Sequence, residues 1–145
     1  MTVGVDVTEL VIQGVLRQSS ELQALVGMRV YTRTPADPTY PLVRAERKGG
    51  FLRGVGVHRD HARVEYRVIS DKAPPDGAGT QKGTWRIAET VREALIGLRN
   101  VDLPPFGHVT GVEETIAPAD FDTKDGRYTY IGEVTMYVHP LPESS

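Results

Sequence analysis

Val64, Tyr66 and Val68 alternate with Glu65 and Arg67, so one set of side chains faces a core while the other faces water, as in a half-buried strand. A second such strand runs over 127–138, with Tyr128, Tyr130, Val134, Met136 and Val138 on one face and Thr129, Glu133 and Thr135 on the other. Pro140 stops it. Elsewhere the period is three to four. Val7, Leu10, Val11, Val15 and Leu16 recur at helical spacing behind an Asp-x-x-Glu capping box formed by Asp6 and Glu9. Ser20 and Gln23 repeat that spacing ahead of Leu22, Leu25 and Val26, which predicts a short second helix capped by Ser20 and closed by Gly27. Ala88, Val91, Leu95 and Leu98 form the stripe of a further helix that starts at Thr84 and ends by Asn100, with Arg86, Glu89, Arg92 and Glu93 largely off it.

Between these elements the pattern is weaker. Residues 28–33 predict a strand halted by Pro35, and Pro38 and Pro41 keep the next stretch irregular. Residues 42–46 predict another strand, closed by Lys48-Gly49-Gly50, and 51–60 reads as loop or loosely paired strand. Residues 71–83 hold two Pro and three Gly with almost nothing apolar, which predicts a long mobile loop. A strand-like stretch over 108–116 leads to a polar connection at 117–126, where Asp125-Gly126 signals a hairpin turn. The expected fold is α+β: a single antiparallel or mixed β-sheet with two main helices packed on one face, residues 1–145 forming one domain. Its expected core contains Leu10, Leu16, Leu25, Val64, Tyr66, Val68, Ala88, Val91, Leu95, Val134 and Met136. Trp85 and the six Tyr count as core and sheet residues first, partner contacts second.

Composition narrows the function classes. The hydrophobic share of 39% and charged share of 25% over 145 residues are those of a folding domain. A net charge of −2 gives no electrostatic footprint for gripping duplex DNA. With no Cys there is neither a disulfide framework nor a thiol nucleophile, which suits a reducing compartment. The N-terminus lacks the basic and apolar regions of a signal peptide, and no stretch approaches the ~18 apolar residues of a membrane span, so the expectation is a protein made and used in cytosol, or in something assembled there.

Motifs that carry chemistry are incomplete. His58 and His61 form a His-x-x-His pair, one residue short of the zincin spacing and with Arg59 where the general-base Glu belongs. The Gly-rich run before Thr84 places Lys82 ahead of Gly83, the reverse of the Gly-Lys-Ser/Thr order that points a phosphate loop's lysine and hydroxyl at the ligand. Gly54-x-Gly56 lacks the third glycine of a dinucleotide site. Glu113 and Glu114 are strand neighbours that point to opposite faces, and Asp120 and Asp122 solvate a connection. Ser19, Ser20 and Ser70 lack a nucleophile elbow. No enzyme, metal or cofactor is expected.

The element order, with Glu21-Leu22-Gln23-Ala24-Leu25-Val26-Gly27, Arg29-Val30-Tyr31, Tyr40-Pro41-Leu42-Val43, the strand 64–68, the helix 88–95 and the long closing strand, resembles the tail terminator or tail-completion proteins of long-tailed phages and prophages. The resemblance runs over about residues 8–138 and departs from the pattern in the long material at 50–61 and 71–83. It implies a structural protein of the virion tail, assembled in the host cytoplasm. Such a protein forms a homo-oligomeric ring, a hexamer, that caps the tail tube protein, ends its polymerisation and offers a surface to the head–tail connector. DNA only passes through the lumen, and no membrane is involved. Loops at 34–41, 50–61, 71–83 and 117–126 exceed the ~4–6 residues of simple connections. Partner contacts are therefore expected in or beside them: at Tyr40 and Arg44; at Arg53, His58 and Arg59; at Lys72 and Lys82; and at Asp120, Asp122 and Lys124. The rival readings are another head–tail connector or minor tail protein, and a small ligand-binding α+β domain.

Overall fold

The computed structural model of the chain describes residues 5–53, 59–71, 81–121 and 126–141. Asp6 caps the first helical unit, its side chain accepting from the Glu9 backbone N–H at 3.1 Å. That unit is not a plain α-helix. α1 (Val7–Glu9) passes into a π-helical stretch over Leu10–Val15 and a 3-10 turn over Leu16–Gln18. Within this wider turn Ile12 is buried as well, in addition to Val7, Leu10, Val11, Val15 and Leu16.

α2 (Ser20–Val26) is capped by Ser19 rather than Ser20, because the Ser19 hydroxyl reaches the Leu22 N–H at 3.2 Å. Leu22 and Val26, one turn apart, carry its buried stripe. Leu25 lies off that stripe and is only partly buried, a correction to its predicted core position. α3 (Gln81–Ile96) starts three residues before Thr84, with Gly83 inside its first turn. Residues 72–80 of the predicted 71–83 loop, and the expectation that they are mobile, lie outside the described residues.

The strands are β1 (Val30–Tyr31), β2 (Leu42–Arg53), β3 (Arg59–Asp71), β4 (Val101–Leu103), β5 (Gly107–Asp120) and β6 (Arg127–His139). They form one sheet in the order β1-β2-β3-β6-β5-β4, with β1–β2 parallel and every other pair antiparallel, so the sheet is mixed. Three expectations change. Of 28–33 only two residues pair, the Val30 carbonyl being taken by the Arg17 guanidinium at 2.8 Å. β2 continues through Lys48-Gly49-Gly50, because a bulge between Arg47 and Gly49 absorbs the irregularity. Gly50 sits there at φ +112°, where an added Cβ would lie 2.0 Å from the His61 carbonyl oxygen. β5 runs on to Asp120 through Pro118, a residue that strands tolerate only where a ladder neighbour is missing. β4, a strand of three residues, carries no sequence signal of its own.

Register places Val43, Ala45, Ala62, Val64, Tyr66, Val68, Val134 and Met136 on one face. Helical residues including Leu16, Leu22, Ala88, Val91 and Leu95 join them in one buried cluster. Among the described residues the helical layer is thus α1 with its π and 3-10 extension, the short α2 and α3, roughly the two main helices and short second helix expected. Trp85 is a further correction: it lies 38% exposed on α3, its ring 5.5 Å from that of Tyr130. Tyr66 is fully buried directly opposite Gly132, whose missing Cβ would sit 2.4 Å from the Tyr66 ring and hydroxyl.

Leu95→Ala should lower stability by ~2–5 kcal/mol through cavity formation, and Gly132→Ala by ~1–3 kcal/mol through overpacking against Tyr66. Unchanged urea midpoints would place neither residue where the sheet and helix meet. The Tyr66 hydroxyl is buried with no hydrogen-bond partner among the described residues, and burial, with Glu114 adding to it, holds the phenol far above the usual tyrosine range. As pH rises past the ordinary value of about 10 the unfolded chain ionises while the folded chain keeps its proton, so stability should fall. Tyr66→Phe should melt at or above the parent temperature at neutral pH and lose less stability by pH 11, measured by pH-dependent thermal melts.

Candidate assembly surfaces

On the sheet face away from the helices the rows from Arg44 to Thr135 are polar, while at one end Leu42 and Thr129 are buried and Tyr40 packs against Arg127. Register lines its side chains up in rows across the strands. Arg44 lies opposite Arg67; in the next row Glu46, Glu65 and Glu133 are neighbours; Arg63 and Thr135 follow. Like charges opposite one another repel, and pairs along or diagonal to the strands offset this. Glu65 accepts from Arg67 Nε at 2.7 Å, Lys48 Nζ lies 2.8 Å from Glu46, and Arg63 lies 3.9 Å from Glu133. The ammonium of Lys48, by its hydrogen bond and its charge, holds the Glu46 carboxyl below the usual range.

Beside these rows the Tyr137 hydroxyl donates to Glu113 at 3.0 Å, which pushes the phenol up, and His61 meets the Tyr137 ring edge-on. A hollow of about 380 Å³ opens between Gly50, His61, Arg63, Thr135 and Tyr137. Glu114 points the other way, to a two-pronged pair with Arg92 of α3, so Glu113 and Glu114 do diverge as strand neighbours must. On the helical side, a depression of about 470 Å³ between α2 and α3 is lined by Glu21, Leu25, Arg86, Glu89 and Glu93. Arg47 forms a bidentate pair with buried Asp60, tying the bulged part of β2 to β3.

The predicted contact residues fall into three groups. Lys82 and Asp120 are exposed, at the start of α3 and the end of β5. Tyr40 is held beneath the Arg127 guanidinium, 4.4 Å from the ring centre, and Arg44 is half-buried with its Nε unpartnered among the described residues. Arg53 and Arg59 pair as backbone at the end of the β2–β3 hairpin. Their side chains, and all of His58, Lys72, Asp122 and Lys124, lie outside the described residues. Two predicted contact loops are shorter than expected, since 50–53, 59–61 and 117–120 belong to strands. Sequence reasoning passed over Ile116 and Phe121, exposed by 55% and 51% at the end of β5; the mismatch between apolar type and polar surroundings is the signal that marks them.

Among the described residues no cluster of three or more His, Asp or Glu side chains is arranged to hold a metal, and no helix is long and apolar enough to cross a membrane. What the described residues present is polar rows on the sheet face away from the helices, sheet edges only partly covered by β1 and β4, and shallow grooves. The model of the family "Tail completion protein gp17" matches residues 11–131. This chain belongs to the tail completion protein family. It is accordingly a structural protein of the phage virion tail. The fold of this tail completion protein is similar to that of a chain in the virion of a native gene transfer agent (GTA) particle, with a TM-score of 0.64 and 20% identity over 89% of this chain and 91% of that one. A comparison with curated proteins gave no match.

The stability that Glu46 draws from Lys48 is present above the ordinary glutamate pKa and is lost as pH falls through the lowered folded value. Lys48→Met should return the Glu46 carboxyl titration, followed by NMR, toward the ordinary range. An unmoved titration would mean that Arg44 and Arg33 hold the carboxylate without Lys48.

Proposed function

We propose that this tail completion protein, residues 1–145 acting as one domain, closes into a homo-oligomeric ring, a hexamer. The ring caps the tail tube, ends its polymerisation and presents the surface that the head–tail connector binds. The observation that carries this reading is that, among the described residues, the short strands β1 and β4 cover only part of β2 and β5 at the two sides of the sheet. Open edges are aggregation templates, and a closed ring shields them between subunits. The role needs no catalysis. Exposed Lys82 and Asp120, with the charged segments around Arg53 to Arg59 and Asp122 to Lys124, are the proposed partner contacts. A subunit net charge of −2 gives such a ring no positive excess with which to grip phosphates, so DNA slides through.

Subunit affinity in such a ring is set by the tube end, whose symmetry raises the local concentration of neighbouring subunits. The free protein is then monomeric in dilute solution and closes on the tube. Particles assembled without this protein should show overlong tubes or tails without heads by electron microscopy. Tails of normal, uniform length joined to heads would overturn the terminator reading and favour a minor tail role.

A further inference from the structure

The end of β5 and the helical layer carry features that fit each other but cannot meet within one copy. Ile116 lies opposite Glu133, and the Phe121 N–H continues that pairing to the Thr129 carbonyl at 2.8 Å. Glu133 and Thr129 alternate with the core residues Val134 and Tyr130, so Ile116 and Phe121 project from the face away from the helices, each more than half exposed. Ala119, opposite Ile131, is exposed between them and makes the strand end one apolar strip. On the other side of the sheet, the depression of about 470 Å³ between α2 and α3 has an apolar floor at Ala24 and Leu25 and is large enough for either side chain.

The surroundings of the two features match in charge. Glu21, Glu89 and Glu93 stand around the depression against Arg86 alone, and none of these carboxylates makes a hydrogen bond or close ion pair among the described residues. Arg44 lies on the sheet face in the row that passes through Arg67 and Ile131 to Ala119. Its guanidinium also makes no hydrogen bond or close ion pair among the described residues, and its neighbour Glu46 is bonded to Lys48. The features share a level along the strands as well. Trp85 packs on Tyr130 and Arg92 pairs with Glu114, which lies opposite Val134, so the stretch of α3 that walls the depression spans the level of residues 130–134. Ile116 and Phe121 span the level of residues 129–133.

We infer that the ring contact seats the apolar end of β5, Ile116 and Phe121, of one copy in the depression between α2 and α3 of the next. This rests on the ring reading above and names the surfaces that make it. The two surfaces lie on opposite sides of one sheet, so the contact is heterologous. Because they share a level, a rotation about an axis along the strands joins them with no slide along that axis, as a closed ring requires. Arg44 lies three strand spacings, ~14 Å, from β5, across the breadth of a helix pair packed about 8–10 Å apart, where it meets the carboxylates of the neighbour's helices. Those helices also cover the outer edge of β5 beyond the part that β4 pairs.

The chain has no cysteine, which makes the test direct. Ala24→Cys is combined in turn with Ile116→Cys and Phe121→Cys in the full chain, assembled on purified tail tubes and oxidised. The paired sites lie on opposite sides of the sheet, too far apart to bond within one copy. At least one pair should give a covalent ladder ending at the ring's subunit number, while single variants and Ala24→Cys with Asp102→Cys, at the far end of the sheet, should not. Ile116→Ser with Phe121→Ser should lower ring assembly about tenfold or more with an unchanged melting temperature, because both side chains are buried only in the ring. Arg44→Glu should weaken assembly likewise, and adding Glu89→Lys in the same chain should restore it. Rings that form normally by native mass yet never cross-link through Ala24 would overturn the groove contact and leave the ring intact. Serine variants that assemble like the parent would overturn it too. Wild-type chain forming no ring on tubes would sink both. Serine-variant rings on tubes, with tube binding lost only in Ala24→Trp, would give the depression to the tube protein and overturn the inference.

Discussion

Twelve consecutive residue pairs, from Asp60–Val138 to Asp71–Arg127, lock β3 to β6 without a bulge, and the rest of the structure is hung on that ladder. Its unbroken register keeps every second side chain on the helical face. That is why Ala62, Val64, Tyr66, Val68, Val134 and Met136 form a continuous floor for α3 and the N-terminal helical unit. A slip of one residue would turn this floor to water. The contact of Tyr66 with Gly132 fixes the register from within, because only a residue without a side chain fits opposite that ring.

Irregularity is confined to the flanks. β2 bulges at Arg47 and β5 at three points, while the central pair keeps an uninterrupted register. The bidentate Arg47–Asp60 pair holds the first bulge in place from the neighbouring strand. The same arrangement puts ordered charge on the sheet face away from the helices and, among the described residues, leaves incompletely paired strands at both sides of the sheet.

Among the described residues, the neighbouring carboxylates do not converge on one point. The carboxylates that the sequence places side by side diverge in space, Glu113 to Tyr137 and Glu114 to Arg92. The most perturbed titratable group, Tyr66, is buried beneath the helices where no substrate reaches it. Its shift comes from desolvation in the core, a packing consequence rather than a sign of tuned chemistry.

Periodicity alone determined the buried faces of β3 and β6, the stripe of α3, and the capping of the first helix by Asp6, because each depends on residues close in sequence and on a repeat of two or of 3.6. The family resemblance was legible for the same reason, since the helix closing at Gly27 and the strand that follows it are local patterns. Tertiary contacts decided what local signals left open or pointed away from. Lys48-Gly49-Gly50 reads as a stop, yet it continues as strand because β3 supplies a partner and the bulge absorbs the extra residue. Thr115 to Asp120 reads as a connection through Pro118, yet it pairs along β6. Leu25 and Trp85 have core chemistry but lie off the face that α2 and α3 turn to the sheet. Which segments flank the sheet was invisible in the sequence, because strand order, a property of the fold, determines it.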